Sequence, residues 1–215
     1  DPKAPDGIVE AALEGINGRA GLILCGLYGE EPKQLEELVR IGVTHQGVVG
    51  LDLAGGPHPA HSWGLEDYAQ AFQEAAKHGL GRTVHASEGR PPNEIRTAIE
   101  VLGAQRIGHG TTLLEDPGIV ELVIEAGVTI EACPTSNVHT GVIGSVQEHP
   151  IGTWLAKGVR ACINTDITLL SNINQPEELA RVAAAVNMSE KLIQQAISYG
   201  HQGCFERTKR LIQHR

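Results

Sequence analysis

The chain has 215 residues, of which 41% are hydrophobic and 20% are charged, and its formal net charge at pH 7 is −9. This balance is typical of a globular domain with a sizeable core, not of a disordered chain. The acidic charge argues against a broad surface for nucleic acid or anionic membrane, because either partner requires a basic patch. No apolar run reaches the ~18 residues of a membrane-spanning helix.

Six short apolar segments predict β-strands, and their starts lie roughly 20 to 35 residues apart, the spacing of repeated βα units. The segments are residues 21–27, 47–53, 82–86, 106–109, 128–132 and 160–164. Amphipathic stretches predict helices over residues 65–76, 95–102, 117–126, 176–186 and 189–199. Apolar strands that alternate with helices predict a parallel sheet.

Two α/β architectures fit this alternation, a doubly wound open sheet and a (β/α)8 barrel. The open sheet normally carries a glycine-rich phosphate loop after an early strand, and the sequence contains neither GxGxxG nor GxxxxGK[ST]. Polar residues at the carboxyl ends of several strands favour the barrel, because barrel enzymes place their active sites at that face. We therefore predict one partial (β/α)8 TIM barrel over residues 1–215, with about six βα units.

Ionisable residues follow the predicted strands and are the candidates for catalysis. They are Asp52, His85, Glu88, His109 and Asp166. If the strands are neighbours in a barrel, two imidazoles and two carboxylates share one cavity, which suits Zn²⁺ with a position left for water. The metal would make that water acidic, and a nearby carboxylic acid could protonate the substrate.

Each of these residues also has a structural alternative. A lone histidine after a strand is more often a hydrogen-bonded structural residue than a ligand, and Asp166 can cap the following turn. For Asp52 the structural role is favoured, and Cys133 is expected in the core. Four further histidines lie in predicted loops and are expected to be solvated; they are His58, His61, His139 and His149. Three of the four cysteines lie in apolar runs and none forms a CxxC pair, which predicts buried free thiols and a reducing cytoplasm.

Five motifs, VVGLDLAG, VHASE, RIGHG, CPTSN and NTD, occur in this order along the chain. In their order and spacing they resemble the adenosine deaminase family, within the metal-dependent amidohydrolase superfamily. The resemblance covers essentially the whole chain. It implies a (β/α)8 barrel of which this chain holds strands three to eight, with the first two strands missing.

The resemblance also implies roles for individual residues. His85 and Asp166 match metal ligands for one Zn²⁺ per complete site, and Asp166 also matches the residue that binds the attacking hydroxyl. Glu88 matches the acid that protonates purine N1, and His109 matches the residue that orients and activates the water. Gly55 matches a glycine whose backbone N–H contacts the purine ring. The implied reaction is addition of water at C6 followed by loss of ammonia.

Three departures from the family pattern bear on the site. The family's first strand carries His-x-His, which supplies two further zinc ligands, and this sequence has no such motif. Ile167 stands where the family often has an aspartate that contacts purine N7. Ser87 replaces the glycine of the family's HAGE motif. We therefore expect the chain to be a fragment of a longer protein, or to pair with another segment or a second copy.

The sequence thus predicts a zinc-dependent deaminase of adenosine or a related aminopurine, acting in purine metabolism or salvage. Its expected partner is a small purine nucleoside or base, with neither nucleic acid nor membrane. An adenine or modified-adenosine deaminase is one alternative, and Ile167 is the residue that favours it. A catalytically silent fragment that binds a purine or a partner is the other.

Overall fold

Six strands alternate with helices along the chain in the computed structural model, which describes residues 4–56 and 61–206. The strands are β1 (Leu22–Leu27), β2 (Val48–Ala54), β3 (Gly81–Ala86), β4 (Arg106–His109), β5 (Thr129–Ala132) and β6 (Arg160–Ile163). Both ends of every strand lie within one residue of the predicted positions, so the strand predictions are confirmed. The pairs β1–β2, β2–β3, β4–β5 and β5–β6 are all parallel, as predicted.

Ten α-helices are present in the described residues, and five of them were predicted. The predicted ones are α3 (Ala69–Lys77), α4 (Asn93–Glu100), α5 (Pro117–Ala126), α9 (Gln175–Ala185) and α10 (Glu190–Gln202). A 3₁₀ turn at Leu65–Tyr68 begins the predicted segment 65–76. The helices that the pattern missed are α1 (Pro5–Ile16), α2 (Pro32–Thr44), α6 (Pro134–His139), α7 (Ile151–Ala156) and α8 (Thr168–Ser171). No helix in residues 4–56 and 61–206 is long and apolar enough to cross a membrane.

The described residues form two compact units. The first runs to Val84 and includes Val101–Gly103 and the segment from Phe205, and the second comprises His85–Glu100 and Ala104–Cys204. The prediction of a single domain over residues 1–215 stays a prediction.

The first unit packs helix α2 against its parallel strands. Helix α2 buries Leu35 and Val39, which are at most 2% exposed. Phe205 packs against strands β2 and β3 at Gly50 and Gly81, where the Cβ of any larger residue would overlap its ring. Glycine is therefore required at both positions for this close approach.

The second unit is built on β4, β5 and β6, which contribute buried apolar side chains to its core. Ile107, Ile130 and Ala161 on these strands are 0% exposed, and so is Trp154 on α7. Helix α5 shows how local sequence sets an element's limits. Asp116 accepts a hydrogen bond from the Gly118 N–H at 2.8 Å at its start, and Gly127 ends it at a φ of 64°.

Two predictions about individual side chains are wrong. His149 is 3% exposed and not solvated: its Nδ1 accepts the Ile151 N–H at 3.2 Å, and its ring packs edge-on against Trp154. Burial, with His109 as a smaller cause, lowers the pKa of His149 to about 3 and keeps the ring neutral. All four cysteines are free, but only Cys133 and Cys162 are buried. His58 lies outside the described residues.

A buried carboxylate holds the start of helix α6 in the second unit. Glu178 on α9 is 0% exposed and accepts hydrogen bonds from the Thr135 N–H at 2.9 Å and the Thr135 hydroxyl at 2.5 Å. Arg181 donates to the same hydroxyl at 3.2 Å. An anion at a helix start satisfies backbone N–H groups that have no partner within the helix and interacts favourably with the helix dipole.

We predict that Glu178→Leu lowers the free energy of unfolding by about 3 kcal/mol, because it leaves the buried Thr135 N–H and hydroxyl without their acceptor. Urea denaturation followed by circular dichroism measures the change. Glu125→Gln, at an exposed position of helix α5, is the control. Its free energy of unfolding should stay within about 0.5 kcal/mol of that of the unmodified protein. Equal stabilities for the two variants would contradict the anchoring role.

Candidate active site

The sequence-predicted residues of the second unit lie at the carboxyl ends of its strands. His85 is near the end of β3 and Glu88 follows it, while His109 is the last residue of β4. The His85 and His109 ring centroids are 4.9 Å apart, and Glu88 Oε1 lies 3.7 Å from His109 Nδ1. His109 is buried, and His85 and Glu88 are half-buried. The structure therefore brings these three side chains together.

Helix α6 links this cluster to Asp166. The Ser136 hydroxyl donates to Asp166 Oδ2 at 2.6 Å. The Asn137 amide nitrogen lies 3.2 Å from Glu88 Oε1 and 3.0 Å from His109 Nδ1. The CPTSN motif contains both Ser136 and Asn137, but sequence reasoning gave them no role. Only their position at the start of a helix shows which site residue each one contacts.

The backbone is strained where these strands end. Among the described residues, six other than glycine have a positive φ, and three of them are asparagines, which tolerate it well. The remaining three are Ser87 at 59°, His109 at 65° and Asp166 at 57°. Such conformations cost free energy and cluster at functional sites, where the surrounding structure holds them in place.

Ser87 stands where the family pattern has glycine, and its contacts compensate for the strain. Its N–H donates to Glu94 Oε2 at 2.7 Å and its hydroxyl donates to the Pro91 carbonyl at 2.9 Å. The Thr111 hydroxyl donates to the Ser87 carbonyl at 2.9 Å. These bonds hold the loop that carries Glu88.

We predict that Ser87→Gly is more stable than Ser87→Ala by about 1 kcal/mol. Both variants lose the hydroxyl's hydrogen bond, which contributes about 1 kcal/mol, but only glycine also relieves the left-handed strain. Thermal unfolding of the two variants, measured side by side, shows which of them is the more stable. The reverse order would show that the backbone of residue 87 is not strained in solution.

The other predicted residues have distinct surroundings. Gly55 lies just after β2 in the first unit, where it lines a cavity of about 340 Å³ with Tyr28 and His61. Ile167 follows Asp166 in the second unit and is 50% exposed. Asp52 is nearly buried within β2 and accepts a weak hydrogen bond from the Cys25 thiol at 3.7 Å, which agrees with a structural role. The binding roles of Gly55 and Ile167 stay predictions.

Cys133, which precedes helix α6, is a core residue, as predicted. It is 6% exposed. Burial is the main cause that raises the pKa of its thiol well above the usual value, and the nearby Asp166 raises it further. Cys133 therefore remains a neutral thiol and is not a candidate nucleophile.

The donor types of a zinc site are present in the second unit, but their number is low. His85 offers an imidazole nitrogen and Asp166 offers carboxylate oxygens, both of which Zn²⁺ accepts. Within residues 4–56 and 61–206, no three His, Cys, Asp or Glu side chains are grouped to hold a metal ion. A catalytic zinc site typically uses three protein ligands, so the described residues supply only part of one.

Comparison with known proteins gives the family. The model of the adenosine deaminase family matches residues 6–212. The chain belongs to the adenosine deaminase family. It is 41% identical over 165 residues to the adenosine deaminase of Clostridium kluyveri, a match that covers 76% of this chain and 47% of that protein. The match to the adenosine deaminase of Serratia proteamaculans is 35% identical over 208 residues and covers 93% of this chain and 61% of that protein. The chain thus spans about half to three-fifths of the length of these relatives.

Solved structures of similar fold agree with the predicted α/β barrel class. The N6-methyl-AMP deaminase of Arabidopsis thaliana matches with a TM-score of 0.81 at 22% identity, over 94% of this chain and 63% of that one. A zinc-bound amidohydrolase of Burkholderia ambifaria matches with a TM-score of 0.82 at 20% identity, and the match covers 94% of this chain and 58% of that one. An adenine deaminase of Arthrobacter aurescens matches with 0.66 at 22% identity, over 93% and 68%. This chain contributes six strands of such a fold.

Proposed function

We propose that the protein takes part in the hydrolytic deamination of an aminopurine, with adenosine as the leading substrate. The observation that carries this proposal is the cluster of Glu88, His109 and His85, held together beside Asn137. Family membership supports the same reaction class. The reaction adds water at C6 and releases ammonia, so adenosine and water become inosine and ammonia.

The proposed roles divide between a proton donor and a group that handles water. Glu88 is half-buried, as a general acid should be, and gives a proton to the purine ring nitrogen, which makes C6 electron-poor. His109, held beside it at 3.7 Å, orients the attacking water, and the carboxylate of Asp166, which accepts the Ser136 hydroxyl, takes up the water's proton. That proton then passes to the exocyclic amino group, which leaves as ammonia as the C–N bond breaks, and the hydroxyl added at C6 returns its proton to Glu88 as the carbonyl forms.

His85 and Asp166 are the described residues that would hold zinc. Bound Zn²⁺ supplies acidification of water and polarisation of the reacting centre at neutral pH. The Ser136 hydrogen bond already orients the Asp166 carboxylate, which is how a neighbouring residue commonly fixes a metal ligand. Further ligands would come from outside the described residues.

We predict that Glu88→Gln lowers kcat for adenosine by at least about 100-fold, because glutamine cannot deliver the proton. Ammonia release and the ultraviolet change from adenosine to inosine both measure the rate, with zinc supplied. Glu115→Gln, an exposed substitution shortly after β4, is the control and should leave the rate unchanged. A rate of deamination that is unchanged in Glu88→Gln would remove Glu88 from the mechanism.

A modified aminopurine or free adenine is the second candidate substrate, and Ile167 favours it. The side chain is apolar, half-exposed and adjacent to Asp166, and it cannot make a hydrogen bond to a purine ring nitrogen. A contact of that kind contributes about 1–3 kcal/mol, which corresponds to about 5-fold to 150-fold in specificity. That proteins of similar fold include an adenine deaminase and an N6-methyl-AMP deaminase is consistent with this alternative.

We predict that Ile167→Asp raises kcat/KM for adenosine at least about fivefold, since a protonated aspartate can donate a hydrogen bond to purine N7 and isoleucine cannot. Rates on adenosine, adenine and an N6-methylated adenosine, measured side by side, give the change in preference. Leu169→Asp adds the same charge at a position that is 87% exposed and serves as the control. An equal effect of both substitutions would mean that charge alone, not contact with the purine, changes the rate.

A catalytically silent protein that binds a purine is the remaining alternative. Purine binding without ammonia release, in the unmodified protein with zinc supplied, would favour it over the deaminase. We also propose a cytoplasmic location, which the four free cysteines support because thiols persist in a reducing compartment.

A further inference from the structure

We propose that Asn137 is a positioning residue, whose single amide group holds the acid Glu88 and the imidazole of His109 in one fixed arrangement. The chemical consequence rests on the deaminase function proposed above. The structural part, which concerns the proton on His109, can be measured without turnover.

The argument begins with the geometry of the amide. Asn137 is 0% exposed, and its Nδ2 lies 3.2 Å from Glu88 Oε1 and 3.0 Å from His109 Nδ1. An amide nitrogen carries two hydrogens and accepts none, so one hydrogen serves the carboxylate and the other serves the imidazole. The opposite orientation of the amide would set its oxygen against Glu88 Oε1, and two acceptors at that distance repel each other.

The tautomer of His109 follows from this contact. Because Nδ1 must accept a hydrogen bond from Asn137, a neutral imidazole carries its proton on Nε2. Nδ1 is therefore occupied by Asn137, and the N–H of Nε2 is the group that donates a hydrogen bond to the oxygen of the reacting water. The carboxylate of Glu88 selects this tautomer indirectly, since it fixes the orientation of the amide.

The same amide decides which oxygen of Glu88 carries the transferable proton. Oε1 receives hydrogen bonds from Asn137 at 3.2 Å and from the Thr140 hydroxyl at 3.4 Å. No described residue hydrogen-bonds to Oε2. Oε2 is thus the oxygen that holds the proton for the purine ring, and the carboxyl group cannot rotate without breaking both bonds.

The backbone of Asn137 is fixed as firmly as its side chain. Its N–H donates to the Cys133 carbonyl at 2.9 Å, and its carbonyl accepts the N–H groups of Val142 at 2.9 Å and Ile143 at 3.1 Å. A fully buried residue does not touch the substrate, so it acts through Glu88 and His109. Its loss should therefore change kcat much more than KM.

The decisive experiment is ¹⁵N NMR of the 215-residue chain with labelled histidine, at about pH 8, where an ordinary imidazole is neutral. The His109 signals are those lost in His109→Asn. We expect the unmodified chain to carry the proton on Nε2 and the bare lone pair on Nδ1. A proton found on Nδ1 would overturn the proposal, and this measurement needs no stable variant of Asn137.

Asn137→Asp provides the matched change, because aspartate has the same shape but only accepts hydrogen bonds. We expect Nδ1 of His109 to gain a proton in this variant, and kcat to fall at least about tenfold with KM nearly unchanged. Ser145→Ala, which removes a surface hydrogen bond to Glu148, should change neither the spectrum nor kcat.

The outcomes separate the two proposals. If the unmodified chain releases no ammonia but shows the expected His109 tautomer, the proposed function fails and the positioning role stands. If Asn137→Asp leaves Nδ1 without a proton, or leaves kcat unchanged in a chain that deaminates adenosine, Asn137 does not position the pair.

Discussion

The site depends on the buried carboxylate of Glu178, which fixes the first turn of helix α6. Three consecutive residues of that turn have three different partners: Thr135 bonds to Glu178, Ser136 to Asp166, and Asn137 to both Glu88 and His109. Successive helical residues point about 100° apart, so one short turn reaches three directions. A six-residue helix is too short to be stable alone. The position of its first turn therefore depends on the contact with Glu178, and a change at Glu178 should disturb the hydrogen bonds of that turn to Asp166, Glu88 and His109.

Strain at the strand ends is the second constraint. Ser87, His109 and Asp166 have left-handed backbones, and each lies at or just after a strand end. Parallel strands expose their terminal carbonyl groups at one edge, and a sharp left-handed turn lets the chain leave the strand at once. Hydrogen bonds between neighbouring loops offset the free-energy cost of this strain. The Gly110 N–H donates to the Ala86 carbonyl at 3.1 Å, and the Thr112 N–H donates to the Ser87 carbonyl at 3.3 Å.

Strands could be predicted from the sequence because each is an apolar run bounded by polar or glycine residues, and the catalytic candidates could be predicted because they follow those runs. Helix α6 could not, since its sequence PTSNVH has no apolar periodicity and it folds through tertiary contacts. For the same reason the role of Asn137 could not be predicted, because the identity of a residue does not show which two atoms its amide contacts in the fold. His149 and Glu178 are polar residues that a pattern places at the surface, and only packing reveals their burial.

The surroundings of His109 explain why one amide can control this site. Burial keeps His149 a neutral imidazole and Cys133 a neutral thiol, so neither adds charge beside Glu88 and His109. Asn137 is fully buried, so the hydrogen bond that its amide donates to Glu88 is shielded from water and is stronger than a surface hydrogen bond. Glu88 and His109, which we propose to act on the purine and the water, are therefore held together within the second unit, whereas the described residues that we propose as zinc donors number only two. Under the proposed function, a substitution at Asn137 should therefore act through Glu88 and His109, and a substitution at Ser136 should act through Asp166.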